Sequence, residues 1–299
     1  MEKLLIRLQN AAVRWETNVP LSKHSSFRIG GSADLALFPT SRAQLIDGLS
    51  ILRESGLPMT VIGRGSNVVF SDEGYRGAIV FTSGCRNLSV TDRTMDAECG
   101  VTLSAVANAA REAGLTGAEF AYGIPGTVGG AVFMNAGAFN GCMADICVRS
   151  EYFDMESGDV HLLEGDEQKF GTRESVYQRY PTRIILGARL SLSYGIADDI
   201  HAKMQDLLER RRSTQPLELP NAGSIFKRPV GYYAGKLIED CGLKGRRIGG
   251  AEVSEKHAGF IVNRGGASAD DVMRLVQHIQ NEISRAYGVN LECEIRYIH

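Results

Sequence analysis

The most informative segment of the sequence is Gly123–Gly141, which reads GIPGTVGGAVFMNAGAFNG. Its six glycines would let backbone N–H groups approach a ligand closely, because glycine carries no Cβ. The spacing is neither G-x-G-x-x-G nor G-x-x-x-x-G-K-S/T, so neither standard nucleotide fingerprint applies. The stretch holds no Lys or Arg, so a phosphate here would be held by backbone N–H groups and by helix or loop dipoles. On spacing alone, a series of tight turns between buried strands is an equally good interpretation.

The composition indicates a globular protein and excludes several classes of partner. A length of 299 residues suggests two domains or one large one, and 43% hydrophobic residues are enough for a sizeable core. The net charge of −2 comes without a basic stripe, so we expect no nucleic-acid partner. No stretch approaches the ~18 apolar residues of a transmembrane helix, and the first residues lack the apolar core of a signal peptide. We therefore expect no membrane association and a cytoplasmic location.

The six cysteines are predicted to be buried free thiols. None belongs to a C-x-x-C pair, and none has a histidine at ligand spacing. Free thiols are the ordinary state of cysteine in a cytosolic chain. No metal site is predicted, and among the histidines only His257 lies in a polar loop of site-like composition.

Hydrophobic periodicity and turn residues predict an alternation of strands and helices. Residues 20–82 show a strand–helix–strand pattern, which predicts an α/β unit, and residues 88–100 alternate like a hairpin. The segment 214–221 contains two prolines and is predicted to be extended. Further strands are predicted within 148–163, 183–194 and 291–298. Helices are predicted over 2–14, 40–55, 102–113, 198–212 and 268–287. Thr40 or Ser41 can cap the second of these and Gly56 can end it. The last has a capping box at Ser268 and Asp271 and a stop at Gly288.

A second glycine loop lies between two strand-like runs in the first α/β unit. It comprises Gly63, Arg64, Gly65, Ser66 and Asn67. If this loop met the Gly123–Gly141 stretch, the two would form a cleft of backbone donors suited to a diphosphate. Two independent turns remain the alternative.

Three polar residues later in the chain could carry chemistry. Ser224 lies in the stretch 221–228, NAGSIFKR, which has no hydrolase motif around the serine. Arg173 follows an apparent turn and could grip a carboxylate with two hydrogen bonds. Glu294 shares a face of the predicted terminal strand with Arg296. On local pattern alone, a solvated loop, a surface arginine and an exposed ion pair are the commoner explanations.

Taken together, these stretches resemble the UDP-N-acetylenolpyruvylglucosamine reductase family, flavoenzymes of bacterial peptidoglycan precursor synthesis. The resemblance runs from about Asn18 to Ile298, and several matched blocks in family order are far more specific than one glycine loop. The blocks are SSFRIGGSADL, VIGRGSNVVFSDEGYRG, GIPGTVGGAVFMNAGAF, FGTRESVY, PNAGSIFKRP, CGLKGRRIGGAEVSEKHAGFIVN and LECEIRYI.

The resemblance implies an α+β protein with an FAD-binding fold of the vanillyl-alcohol-oxidase type. Two FAD-binding subdomains, 1–85 and 86–197, would hold a non-covalent FAD, and a C-terminal α+β domain, 198–299, would bind the substrate. NADPH would be the co-substrate and would occupy the same cleft as the substrate in turn. The family assigns to the flavin Gly63, Arg64, Gly65, Ser66, Asn67, Gly123, Ile124, Pro125, Gly126, Thr127, Gly129 and Gly130.

The resemblance also assigns roles in converting UDP-N-acetylglucosamine enolpyruvate to UDP-N-acetylmuramate. Arg173 and a protonated Glu294 match the positions that stabilise negative charge on the substrate carboxylate. Ser224 matches the proton donor to the carbon next to the one that accepts hydride. The resemblance also implies substrate contacts at Gln215, Gly223, Arg228 and the Lys256–His257 loop.

Three departures from the family pattern accompany this match. Arg64 stands where the family usually has Gly, Thr172 stands where a Tyr usually precedes the arginine, and Cys293 before Glu294 lies at a variable position. The missing aromatic contact could come from Tyr177 or Tyr180. The short segment before Arg228 is similar to the subtype that lacks an extra tyrosine-bearing loop. A monomer is expected, and the alternatives are a flavin oxidase of the same fold and a non-catalytic flavin or sugar-nucleotide sensor.

Overall fold

The computed structural model describes all 299 residues and contains eight α-helices and nineteen strands. The helices are α1 (Glu2–Asn10), α2 (Arg42–Ser55), α3 (Leu103–Glu112), α4 (Val128–Met134), α5 (Val176–Arg179), α6 (Ala197–Thr214), α7 (Ala234–Asp240) and α8 (Ala269–Tyr287). The strands are β1 (Trp15–Pro20), β2 (Ser32–Leu37), β3 (Met59–Ile62), β4 (Val68–Phe70), β5 (Tyr75–Phe81), β6 (Leu88–Thr91), β7 (Thr94–Glu98), β8 (Leu115–Thr116), β9 (Gly137–Ala138), β10 (Gly141–Cys142), β11 (Cys147–Asp154), β12 (Val160–Glu164), β13 (Arg183–Ser191), β14 (Ser193–Tyr194), β15 (Asn221–Ser224), β16 (Arg247–Ile248), β17 (Ala251–Val253), β18 (Phe260–Asn263) and β19 (Arg296–Ile298).

The chain forms two compact units, each assembled from three separate segments. The first unit comprises Met1–Thr17, Leu35–Arg64 and Gly77–Arg210. The second comprises Asn18–Asp34, Gly65–Arg76 and Arg211–His299. The division into three domains at residues 85 and 197 stays a prediction.

The first unit is built around a five-stranded antiparallel sheet in the order β12-β11-β13-β7-β6. In a second sheet, β3 pairs in parallel with β5, with Ile62 opposite Phe81. Buried side chains of α1 to α4 and of both sheets form one hydrophobic core. Helix α2 begins at Ser41, whose side chain accepts the Gln44 N–H, and ends at Gly56 in the left-handed conformation. Both signals were predicted from the sequence and are confirmed.

The second unit is built around the antiparallel sheet β15-β18-β17-β16, against which α7 and α8 pack. The capping box at Ser268 and Asp271 is present, and α8 ends at Gly288 as predicted. The apolar face of α8 is fully buried, and each such side chain contributes ~1.5–3 kcal/mol relative to an exposed one. Its members are Val272, Leu275, Val276, Ile279 and Ile283. None of the helices in either unit has the length and apolar composition that a membrane crossing requires.

Several element boundaries differ from the predictions. The first helix ends at Asn10, because Ala12 turns into the left-handed region with φ +53°. Helix α6 continues to Thr214, and turns rather than an extended segment follow around Pro216. The run predicted as two strands around the second glycine loop contains three, since β4 lies between β3 and β5.

The predicted terminal strand over 291–298 is wrong in its first half. Only Arg296–Ile298 is a strand, and it pairs in parallel with β4. Cys293 instead bridges to Phe226, so the two halves of the segment have different neighbours. Leu291 and Ile295 are buried and Glu292 and Arg296 are exposed, as an alternating strand would place them, whereas Tyr297 is exposed and Ile298 is buried.

Candidate functional site

The two glycine loops meet within the first unit. A Cβ built on Gly63 would overlap the hydroxyl of Thr127, so glycine is required where the loops touch. Thr127 is buried and caps α4, where its side chain accepts the Gly130 N–H at 3.5 Å. The predicted meeting of the loops is therefore confirmed, and the alternative of two independent turns is wrong.

The glycines of the Gly123–Gly141 stretch serve two different purposes. A Cβ on Gly129 would lie 2.8 Å from Cys99 Cβ, and one on Gly141 would lie 2.8 Å from the Phe120 ring. Packing inside the protein is therefore sufficient to require glycine at these two positions. Around Gly126 and Gly130, however, the closest atoms to a built Cβ are 3.8 and 3.7 Å away, so the protein itself leaves room for a side chain. Internal packing therefore does not explain why these two positions are glycine. A backbone without a side chain is what a ligand lying against it would require.

Several backbone N–H groups of this stretch are already engaged. The N–H groups of Ile124 and Gly126 donate to Ala121 and Ile124 carbonyls at 3.2 and 2.8 Å. Those of Val128 and Gly129 donate to Val101 and Cys99 carbonyls at 2.8 and 2.9 Å. The set of N–H groups open to a diphosphate is therefore smaller than the number of glycines suggests.

Arg173 lies in the first unit, beside the same stretch. Its Nη2 donates to the Gly137 carbonyl at 2.9 Å, and the residue is half-buried. Its backbone adopts φ +57°, a region that residues with a Cβ rarely enter. The simpler explanation, an exposed surface arginine, is thus wrong.

Ser224 and Glu294 are brought to neighbouring backbone positions in the second unit. Ser224 ends β15, and Gly223 before it has φ +79°, at an irregularity in the pairing with β18. The Glu294 N–H donates to the carbonyl of Ile225, the residue after Ser224, at 2.8 Å. Glu294 is half-buried and lies outside the strand in which it was predicted.

The second half of the Gly63–Asn67 loop belongs to the same unit and touches both segments. Asn67 Nδ2 donates to the Glu294 carbonyl at 3.2 Å. The Ser26 hydroxyl donates to the Asn221 carbonyl at 2.6 Å, and the Ser26 N–H donates to the Gly65 carbonyl at 3.0 Å. Loop, serine segment and glutamate segment therefore form one hydrogen-bonded group. Ser26 was not among the predicted site residues, although it lies in the SSFRIGG block.

The predicted substrate contacts lie in the second unit as well. Gln215 Oε1 accepts from Arg211 Nη1 at 3.0 Å. Arg228 is exposed, and its guanidinium carbon lies 3.8 Å from the centre of the Tyr233 ring. His257 packs edge-on against Phe260, and burial lowers the pKa of its imidazole.

The two tyrosines considered as replacements for the missing aromatic contact differ in accessibility. Tyr177 is completely buried, its hydroxyl lies 2.7 Å from that of Ser150, and burial raises its pKa. It cannot contact a substrate, so that suggestion is wrong. Tyr180 is exposed, with the Arg183 guanidinium 4.2 Å from its ring centre. Thr172 is exposed too.

Two protein-family models match separate parts of the chain. Residues 33–164 match the FAD binding domain, and residues 215–298 match the C-terminal domain of UDP-N-acetylenolpyruvoylglucosamine reductase. The reductase of that name from Caldanaerobacter subterraneus is 47% identical over 281 residues, which cover 94% of this chain and 92% of the relative. The chain belongs to the UDP-N-acetylenolpyruvoylglucosamine reductase family.

Solved structures agree with this assignment to the reductase family. The reductase (MurB) from Thermus caldophilus is 33% identical, with a TM-score of 0.79 over 96% of this chain and 99% of that one. BBE-like 1 from Physcomitrella patens, at 16% identity, shares only the fold, with a TM-score of 0.51 over 64% of this chain. The predicted FAD-binding fold with a C-terminal α+β domain is confirmed. As a family member the chain is an FAD-dependent oxidoreductase, and the bare backbone at Gly126 and Gly130 fits that cofactor.

Proposed function

We propose that the chain reduces UDP-N-acetylglucosamine enolpyruvate to UDP-N-acetylmuramate, with NADPH as the reductant and FAD as the bound cofactor. The observation that carries this proposal is the hydrogen-bonded group in the second unit. There, Asn67 of the flavin loop bonds the backbone of Glu294, whose N–H in turn bonds the residue after Ser224. Family-matched cofactor and catalytic positions that are far apart in sequence are thus tied together.

Bound FAD supplies hydride transfer between NADPH and the substrate double bond. The protein supplies placement, charge and a proton. As hydride reaches one carbon of the enolpyruvyl group, negative charge develops on the adjacent carbon and spreads into the carboxylate. The guanidinium of Arg173 and a neutral Glu294 are proposed to stabilise that charge, because fixed donors need no reorganisation during the reaction.

Ser224 is proposed to donate its hydroxyl proton to the carbanion-like carbon. An aliphatic hydroxyl is a weak acid, but the developing carbanion is a strong base, so the transfer is favourable once the two atoms are aligned. The left-handed Gly223 supports this role, since it turns the backbone immediately before the serine. Substrate binding is assigned to Gln215, Gly223 and Arg228, whose guanidinium is exposed.

We propose that residues 1–85 and 86–197 act as the two FAD-binding subdomains and that residues 198–299 act as the substrate domain. The flavin contacts are assigned to Gly63–Asn67 and to Gly123–Thr127 with Gly129 and Gly130. The enzyme is proposed to act as a cytoplasmic monomer, and the six free cysteines support a reducing compartment.

The test is anaerobic stopped-flow spectroscopy of the purified yellow protein. NADPH should bleach the flavin spectrum, and UDP-N-acetylglucosamine enolpyruvate should then restore it. Colourless protein that binds no added FAD would overturn the proposal. Reoxidation by oxygen but not by the enolpyruvyl sugar would indicate an oxidase, and tight FAD binding without any NADPH reaction would indicate a sensor.

A further inference from the structure

The backbone of Arg173 is held in a strained conformation by a specific set of contacts. A left-handed φ in a residue with a long side chain persists only where the surroundings enforce it. Such strain is often found at functional sites, so the groups that enforce it are of interest. All of those described here belong to the first unit.

Two amide side chains bond the backbone on either side of the arginine. Gln178 Nε2 donates to the Arg173 carbonyl at 2.9 Å and to the Phe133 carbonyl at 3.0 Å. Asn135 Nδ2 donates to the Gly171 carbonyl at 2.8 Å. The Asn135 side chain is fixed in turn, because its Oδ1 accepts the Ala144 N–H at 2.8 Å.

These contacts connect the arginine loop to the end of α4. Phe133 belongs to the last turn of that helix, and Asn135 ends it with φ +41°. Ser175 adds a third link, since its hydroxyl also donates to the Phe133 carbonyl, at 2.7 Å. Helix α4 begins in the flavin stretch at Thr127. This one short helix therefore connects the predicted flavin contacts to the segment that holds Arg173.

We propose that Gln178 and Asn135 are positioning residues for Arg173. By fixing the carbonyls of Arg173 and Gly171, they keep the guanidinium beside Gly137. The inference rests on the proposed role of Arg173 toward the substrate carboxylate. Removing either amide side chain can slow the reaction without that side chain contacting the substrate. The reason is that a small displacement of the Arg173 guanidinium weakens its stabilisation of the transition state.

The experiment measures both half-reactions of the FAD-loaded enzyme carrying Gln178→Ala. Flavin reduction by NADPH should stay within about twofold of wild type, while reoxidation by the enolpyruvyl substrate should slow by roughly tenfold or more. Gln178→Met, which keeps the side-chain length without the two N–H donors, should behave alike if the alanine variant fails to fold. Asn135→Asp, which keeps the acceptor for Ala144 and loses the donor to Gly171, should show the same selective effect.

A double variant separates positioning from general support of the fold. If Gln178 acts through Arg173, adding Gln178→Ala to Arg173→Ala should slow reoxidation no further. Gln44→Ala is the matched control, since Gln44 Nε2 also donates to a backbone carbonyl, that of Ala12 at 3.0 Å, elsewhere in the first unit. It should leave both half-reactions unchanged.

The outcomes that overturn the proposal are distinct from those that overturn the function. Equal slowing of both half-reactions by Gln178→Ala, or full additivity with Arg173→Ala, would overturn the positioning role. So would normal reoxidation in Gln178→Ala when Arg173→Ala is slow. If Arg173→Ala itself reoxidises at the wild-type rate, the proposed role of Arg173 fails first and the positioning role with it.

Discussion

The adjacent glycines 129 and 130 allow packing and ligand binding to be separated by two single substitutions. Both lie in the first turn of α4, and neither has a positive φ. In Gly129→Ala the new Cβ would lie 2.8 Å from Cys99 Cβ and 3.2 Å from the Cys99 carbonyl oxygen. Cys99 is buried, so the clash should cost ~1–3 kcal/mol of folding free energy. In Gly130→Ala the nearest atom is Thr127 Oγ1 at 3.7 Å, and the helix should gain ~0.5–1 kcal/mol.

Urea unfolding of the two apoproteins measures the first consequence. Because both substitutions gain the same helix propensity and only Gly129→Ala adds the clash, Gly130→Ala should be the more stable variant by ~1–3 kcal/mol. Titration with FAD, followed by quenching of its fluorescence, measures the second. If the bare face of Gly130 lies against the flavin, a methyl group costing ~1–3 kcal/mol there should raise the Kd of FAD by about 5- to 150-fold.

Two results would contradict these expectations independently. Equal stability of Gly129→Ala and Gly130→Ala would show that internal packing does not explain the glycine at position 129. Wild-type FAD affinity in a well-folded Gly130→Ala would show that the open face of α4 does not meet the cofactor.

Three further predictions test the catalytic serine, a buried tyrosine and a histidine. Ser224→Ala should slow substrate-dependent reoxidation by ~10²–10⁴-fold and spare flavin reduction by NADPH in stopped-flow traces, whereas equal loss of both would assign the serine to folding or binding. Tyr177→Phe should cost ~1–2 kcal/mol in urea unfolding, because the Ser150 hydroxyl loses its partner, and a changed KM for substrate would contradict the burial of Tyr177. Burial lowers the pKa of His257 in the folded state, so the unfolded state binds more protons than the folded state as the pH falls. The contribution of His257 to the free energy of unfolding is therefore complete above the unfolded pKa of about 6.5 and is lost at lower pH. His257→Gln should therefore lose less stability than wild type between pH 7.5 and 5.5, and equal losses would refute this assignment.

Local signals in the sequence predicted the elements whose ends they mark. The capping box at Ser268 and the left-handed glycines at 56 and 288 act within one helical turn, so their effect can be read from neighbouring residues. Local signals did not predict helix α4, because Gly129 and Gly130 are poor helix formers. That helix exists because Thr127 caps it and because Val128, Ala131 and Val132 are buried.

Contacts between distant segments could not be derived from local patterns. Asn67 and Glu294 stand 227 positions apart, and only the folded chain shows that they touch. The family resemblance selected both as site residues, since it compares whole ordered motifs rather than local chemistry. It did not select Gln178 or Asn135, whose contribution is to the backbone around Arg173.

The parallel pairing of β4 with β19 has a consequence for how the chain matures during synthesis. At ~5–20 residues per second, a ribosome needs roughly 10–45 s to travel the distance between these strands. During that period Val69 and Phe70, whose side chains are buried in the folded protein, lack their partner strand. Non-local pairings of this kind fold slowly and leave apolar surface exposed to aggregation. The second unit therefore cannot complete this pairing until residues 296–298 have left the ribosome.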